Sequence, residues 1–288
     1  MRTVILASLV LTTASLASAQ TAQNRAGWPT EINFGIIPLE GSSAQAERFQ
    51  PLFSYLSKTL GVKVKPYVGA DYAAVILAMQ NKKLDAAYFG PKSYIEAADR
   101  AGAIAIVRDN ALKGGMGYQS IIISKGGGPI KTMADAAGKD FAFVDPNSTS
   151  GYLVPMAHFL LEMKVKPEEY FKRTTFAGSH ENVVMGVVNG TIPVGATNNL
   201  DFARAVESGN VKQGDLNVLW TSKVIPSGPI AVRKDLPQSF RDAMKNALLK
   251  FNDKAGLEQL QLKSYVAASD GDYNPIRDLN KLTNAAKK

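Results

Sequence analysis

Cysteine is absent from all 288 residues, and histidine occurs only twice. Without cysteine there is no disulfide framework and no residue to carry a cysteine-linked lipid anchor. No group of histidines and carboxylates falls at metal-ligand spacing, so neither a metal nor any other cofactor is expected. Long apolar runs are missing too. After one short stretch at residues 4–16, nothing approaches the ~20 residues needed to cross a bilayer. Basic residues never run longer than a pair, and no aromatic-interleaved basic stripe occurs, although the formal net charge is +8 and the pI 9.4. Nucleic acid is therefore not expected as a partner, and the basic balance suits a general attraction for small anions. The glycine groups 114–117 and 126–128 match neither a P-loop nor a dinucleotide fingerprint and read as hinge or turn segments.

What is present starts with Met1-Arg2, the apolar stretch 4–16, and Ala17-Ser18-Ala19 before Gln20. This is the pattern of a secretory signal peptide cut after Ala19, at residues 1–19, and it points to an exported protein in a bacterial periplasm. The remainder, in a chain that is 45% apolar and 20% charged, has the composition of a folded globular protein and the length for two modest domains.

From Glu31 onward, strand and helix patterns alternate. Residues 32–37, 62–68, 84–89 and 103–107 read as strands, with helices over 45–60, 71–82 and 92–101. Pro51 inside the first helix implies a kink or a later start. A second series runs from a strand at 118–124 to one at 216–220, and an extended segment at 224–232 precedes a helical tail over 239–263. Such alternation predicts an α/β fold with doubly wound, mostly parallel sheets. The glycine-rich break near 116 and the extended segment near 224 suggest two lobes. The first comprises residues 30–115 plus 225–288, the second 116–224, with hinge strands between them.

The most informative stretch is Asp145-Pro146-Asn147-Ser148-Thr149-Ser150-Gly151-Tyr152. It joins a short strand, 141–144, to an apolar helical segment, 153–163, and places three hydroxyls where a helix N-cap belongs. Unpaired N–H groups and rotatable hydroxyls there suit a tetrahedral oxyanion without a metal or a permanent positive charge. Two further strand-to-helix turns, Gly69-Ala70-Asp71-Tyr72 and Gly178-Ser179-His180-Glu181, carry similar groups. In open α/β sheets such turns share the ligand-binding end of the strands. His180 sits on such a turn; His158 lies inside a helix and reads as structural or solvated.

The Asp145–Pro155 stretch resembles the signature of the phosphonate- and phosphite-binding periplasmic proteins of ABC transporters. The likeness extends over most of the chain, through Asn33-Phe34-Gly35-Ile36-Ile37, Leu60-Gly61-Val62-Lys63-Val64, Asp71-Tyr72-Ala73, Ala98-Asp99-Arg100-Ala101, Phe171-Lys172-Arg173-Thr174 and Ala196-Thr197-Asn198-Asn199. It implies two α/β lobes that close over a ligand, which is then delivered to a permease in the inner membrane. By matching position it assigns phosphorus-bound oxygens to Ser148, Thr149, Ser150 and His180, and lining hydroxyls to Tyr72 and Tyr118 on the first lobe. In aminoalkylphosphonate binders two acids hold the ligand's ammonium. One matches Asp201; the other falls at Gly228, which has no carboxylate. A small ligand with an uncharged tail, phosphite, methylphosphonate or hypophosphite, is therefore expected, with 2-aminoethylphosphonate or another larger phosphonate as the alternative.

Ser148, His180 and Asp201 could be drawn as a hydrolytic triad, but no G-x-S-x-G elbow is present and the hydroxyls sit at a helix cap. An enzyme is not expected. An anion sensor has the same sequence requirements as a transport protein. Nothing calls for an oligomer, and a monomer is expected.

Overall fold

The computed structural model describes residues 25–287. The expected signal peptide lies outside the described residues.

Two open sheets form the frame. The first has six strands in the order Leu262–Ala267, Ala103–Ala111, Pro229–Arg233, Ala86–Tyr88, Glu31–Ile36, Lys63–Val68. The second has five, in the order Leu216–Thr221, Ser120–Lys125, Val194–Asn198, Asp140–Phe143, Arg173–Phe176. Strand Glu31–Ile36 alternates toward one helical layer, with Ile32, Phe34 and Ile36 buried alongside Phe49, Leu52, Phe53 and Leu56 of helix Ser42–Leu60. Each such side chain contributes roughly 1.5–3 kcal/mol by burial. Helices Tyr72–Gln80 and Pro91–Ala101 cover the opposite face through Val75, Ile76, Met79 and Tyr94. In the second lobe the aromatic group Phe141, Phe143, Phe159 and Phe171 fills one face, and Val183, Val184 and Val187 of helix His180–Asn189 cover the other.

The two-lobe α/β arrangement matches the expectation, but the strand directions are more mixed than simple alternation implies. Strand Pro229–Arg233 runs antiparallel between Ala86–Tyr88 and Ala103–Ala111. It enters the first sheet after the chain has returned from the second, so no right-handed crossover constrains its direction. Strand Ser120–Lys125 is antiparallel to both its neighbours. Between the lobes, Gly117–Tyr118 and Ile225–Pro226 pair antiparallel as a two-stranded hinge.

Two local expectations need correction, and one further helix lies beyond the segments read from the sequence. Helix Ser42–Leu60 continues through Pro51, starting earlier than the sequence suggested. The tail is not wholly helical: after Gln238–Leu249 and Lys254–Leu260, strand Leu262–Ala267 pairs with Ala103–Ala111 as a sheet edge. Its Leu-Lys-Ser-Tyr-Val-Ala pattern is short and begins at the end of the expected helical tail, 239–263, without a turn signal to separate them. A last helix, Asn274–Ala286, packs against both Pro91–Ala101 and the 154–163 segment of the second lobe. Just beyond it, Lys287 Nζ donates to the Tyr152 hydroxyl at 2.9 Å.

Candidate anion-binding site

Strand Asp140–Phe143 delivers the chain to a tight turn that its own side chains hold. Asp145 Oδ1 accepts from Asn147 N at 2.6 Å, and Ser148 N donates to the Asp145 carbonyl at 2.9 Å. Ser148 caps the following helix by accepting from Gly151 N at 3.0 Å. A Cβ at Gly151 would lie 2.3 Å from Val144 Cγ2, so only glycine lets this turn press onto the strand end. Ser120 Oγ anchors it from the next strand by donating to the Ser150 carbonyl at 2.6 Å.

Each of the three hydroxyls accepts a protein N–H. Ser148 takes Gly151 N, Thr149 takes Lys92 N at 2.8 Å, and Ser150 takes Asn198 Nδ2 at 3.4 Å. A hydroxyl carries one proton of its own, so all three keep a donor for another acceptor. All three residues are buried and line one cavity of about 120 Å³.

His180 joins them from the first turn of helix His180–Asn189, which Ser179 caps by accepting from Asn182 N at 3.1 Å. Its Nδ1 lies 3.0 Å from Thr197 Oγ1 and 3.3 Å from Asn198 Nδ2. The Asn198 amide is oriented by its oxygen, which accepts from Leu200 N and Asp201 N. Its Nδ2 therefore turns two hydrogens toward three acceptors, Asp201 Oδ2, Ser150 Oγ and the imidazole Nδ1, which share them. Burial lowers the His180 pKa, so the ring is neutral, and with Nδ1 accepting it carries its proton on Nε2. A neutral ring so held is a further donor.

Tyr72 stands at the start of helix Tyr72–Gln80, where its backbone N–H reaches Asp145 Oδ2 at 3.4 Å across the cleft. Tyr72 and Tyr118 line the same cavity as Ser148, Thr149 and Ser150. Burial raises both phenol pKa values, so both remain protonated donors. Tyr118 belongs to the hinge pair, not to the body of the first lobe.

The opposite end of the cavity is charged. Asp201 lines it, but its carboxylate is already engaged by Arg204 and, at 2.6 Å, by Asn198 Nδ2. Although burial pushes its pKa upward, Arg204, His180 and the Asn198 amide hold it below the ordinary carboxylate range. Arg48 reaches in from helix Ser42–Leu60, paired with Glu40. Asp109 accepts from the Tyr88 hydroxyl at 2.9 Å, and burial drives its pKa up to about 6. Gly228 closes this end, where a Cβ would lie 2.4 Å from the Phe89 carbonyl oxygen.

The other histidine has no part in this cavity. His158 stacks on Trp220 with ring centroids 4.2 Å apart and contacts Glu162 at 2.6 Å.

A family model for the periplasmic substrate-binding protein of ABC phosphonate transporters matches residues 34–273. The chain belongs to that family. A phosphonates-binding periplasmic protein of Escherichia coli (strain K12) is 34% identical, over 96% of this chain and 83% of the relative. The crystal structure of a binding protein component of an ABC phosphonate transporter from Pseudomonas aeruginosa superposes with a TM-score of 0.84 at 32% identity, covering 89% of this chain and 87% of the other. PhnD1 from Prochlorococcus marinus, solved with methylphosphonate, has the same fold. Its TM-score is 0.79 at 24% identity, covering 89% and 99%. The family is described as the periplasmic substrate-binding protein of ABC phosphonate transporters, so the chain is a solute-binding component of that kind of transporter.

All seven residues singled out from the sequence line the cavity: Tyr72, Tyr118, Ser148, Thr149, Ser150, His180 and Asp201. Several others around it carry no role in the sequence reading. Thr197 and Asn198 orient His180, and an Asn immediately before a helix start was a readable cap signal. Arg48, Tyr88, Asp109 and Arg204 gave no local signal, because each lies on the inward face of an ordinary helix or strand.

Proposed function

We propose that this chain captures a small phosphorus oxyanion in the periplasm and delivers it to an inner-membrane permease. Ser148, Thr149, Ser150, Tyr72, Tyr118 and His180 hold the phosphorus-bound oxygens. Export relies on the 1–19 signal peptide, and the lobes that close on the ligand comprise residues 30–115 plus 225–288 and residues 116–224. The protein acts as a monomer. One observation carries this reading: three adjacent hydroxyls already accept protein N–H groups and so present their own protons to one cavity. Each hydrogen bond to a charged oxygen contributes roughly 1.5–3 kcal/mol, enough in combination for micromolar binding or better.

Phosphite and methylphosphonate are the smallest ligands that satisfy this pole. Against phosphate, the apolar lining at Ile37, Leu39 and Phe49 offers no partner to an additional P–OH. That mismatch costs roughly 1–3 kcal/mol. A simple amine tail is disfavoured, because Asp201 is engaged by Arg204 and position 228 has no carboxylate. Calorimetry of the exported protein with phosphite, methylphosphonate, 2-aminoethylphosphonate and phosphate tests this. Phosphite or methylphosphonate is expected to bind more tightly than the amino compound or phosphate. Tightest binding to the amino compound, or to phosphate, overturns the assignment.

A further inference from the structure

Three polar atoms around the charged end of the cavity are buried and have no hydrogen-bond partner: Arg48 Nη2, Arg204 Nε and Asp109 Oδ1. The residues come from three separate elements. Arg48 is on helix Ser42–Leu60, Asp109 on strand Ala103–Ala111, and Arg204 on helix Asn199–Glu207 of the other lobe. The two guanidiniums are close enough that Arg204 lowers the Arg48 pKa, after burial. Like charges facing across a cleft oppose its closure unless an acceptor lies between them. Buried donors and acceptors left unpaired are costly and uncommon in native proteins, and here they are of both kinds.

The cavity is also larger than the phosphorus pole requires. At roughly 10–15 Å³ per water-sized occupant, about 120 Å³ accommodates on the order of ten non-hydrogen atoms, about twice methylphosphonate.

We propose that the preferred ligand is a phosphonate whose tail ends in an α-amino acid group, its carboxylate lying between Arg48 and Arg204 and its ammonium on Asp109. This rests on the phosphorus-pole reading above and adds the tail. The charges at this end support it. Arg48 and Arg204 are each paired, with Glu40 and Asp201, so the wall has no excess positive charge for a bare carboxylate. A bare ammonium leaves both guanidinium donors unmatched and is repelled by them. Only a tail with both groups supplies a donor to Asp109 and acceptors to the arginines. Gly228 contributes by leaving Asp109, not a side chain at 228, to face the tail.

Calorimetry with 2-amino-3-phosphonopropionate, 3-phosphonopropionate, 2-aminoethylphosphonate and methylphosphonate tests the proposal. The first is expected to bind at least tenfold more tightly than each of the others. Arg48→Lys keeps the charge beside Glu40 but removes the forked guanidinium; Asp109→Asn keeps the shape and the Tyr88 bond. Each is expected to reduce the preference over methylphosphonate to less than threefold, with melting curves confirming that the variants fold. If methylphosphonate binds as tightly as the amino acid, or the preference survives both substitutions, the tail assignment alone is overturned. If none of the four binds, the assignment falls together with the phosphorus-pole reading.

Discussion

The Thr149 hydroxyl, in the second lobe, accepts the backbone N–H of Lys92, in the first, at 2.8 Å. Lys92 lies in the first turn of helix Pro91–Ala101, where backbone N–H groups have no partner within the helix. One oxygen thus joins the lobes while the hydroxyl keeps a proton of its own. Nearby, Gly41 N donates to Glu181 Oε2 at 2.8 Å and Glu181 N to the Leu39 carbonyl at 3.1 Å, so the second lobe docks on the first beside His180.

Thr149→Ala removes both roles at once. Methylphosphonate affinity measured by calorimetry is expected to fall at least tenfold, equivalent to about 1.4 kcal/mol. Thr149→Ser, which keeps the hydroxyl, is expected to stay within severalfold of the parent. An unchanged affinity in the alanine variant removes Thr149 from the site.

His180→Ala is likewise expected to weaken binding tenfold or more. Thr197→Val tests the imidazole's orientation separately, because Thr197 contacts the ring at Nδ1. Losing that partner leaves only Asn198 Nδ2, 3.3 Å away, to hold Nδ1, and a severalfold weakening follows. Ring-nitrogen chemical shifts in the two proteins report the tautomer directly; identical shifts contradict this account.

Asp109 links stability to pH. Its folded pKa of about 6 is raised above the unfolded value of 3.8, so between these values the folded state binds more protons and stability falls as pH rises. The penalty is absent below pH 4, grows through pH 4–6, and reaches about 3 kcal/mol at neutral pH. Asp109→Asn is expected to raise the melting temperature at pH 7.5, with the gain shrinking toward pH 4. A gain of equal size at both ends contradicts the assignment.

Gly228→Ala is expected to destabilise the fold by about 1–3 kcal/mol, since the new methyl meets the Phe89 carbonyl oxygen at 2.4 Å and the Tyr88 hydroxyl at 3.1 Å. Thermal melting of the ligand-free protein measures it. A variant as stable as the parent shows that the 228 loop can yield, and with it that a carboxylate could be accommodated there.

The local pieces were legible in the chain. Period-2 and period-3.6 apolar patterns, with cap positions at Asp71 and Ser148, announced the strands, the helices and the turns of the site, because those signals depend on neighbours within a few residues. The Asp145–Gly151 turn could be read for the same reason: its hydrogen bonds close within six residues. Other features are decided only when distant segments meet. The antiparallel entry of Pro229–Arg233 into the first sheet, the edge strand Leu262–Ala267 and the Lys92-to-Thr149 bond depend on which segments become neighbours after both lobes have formed. The same holds for the charged wall. Arg48, Asp109 and Arg204 sit on unremarkable amphipathic elements, and their meeting results from long-range packing, which short-range sequence patterns do not encode.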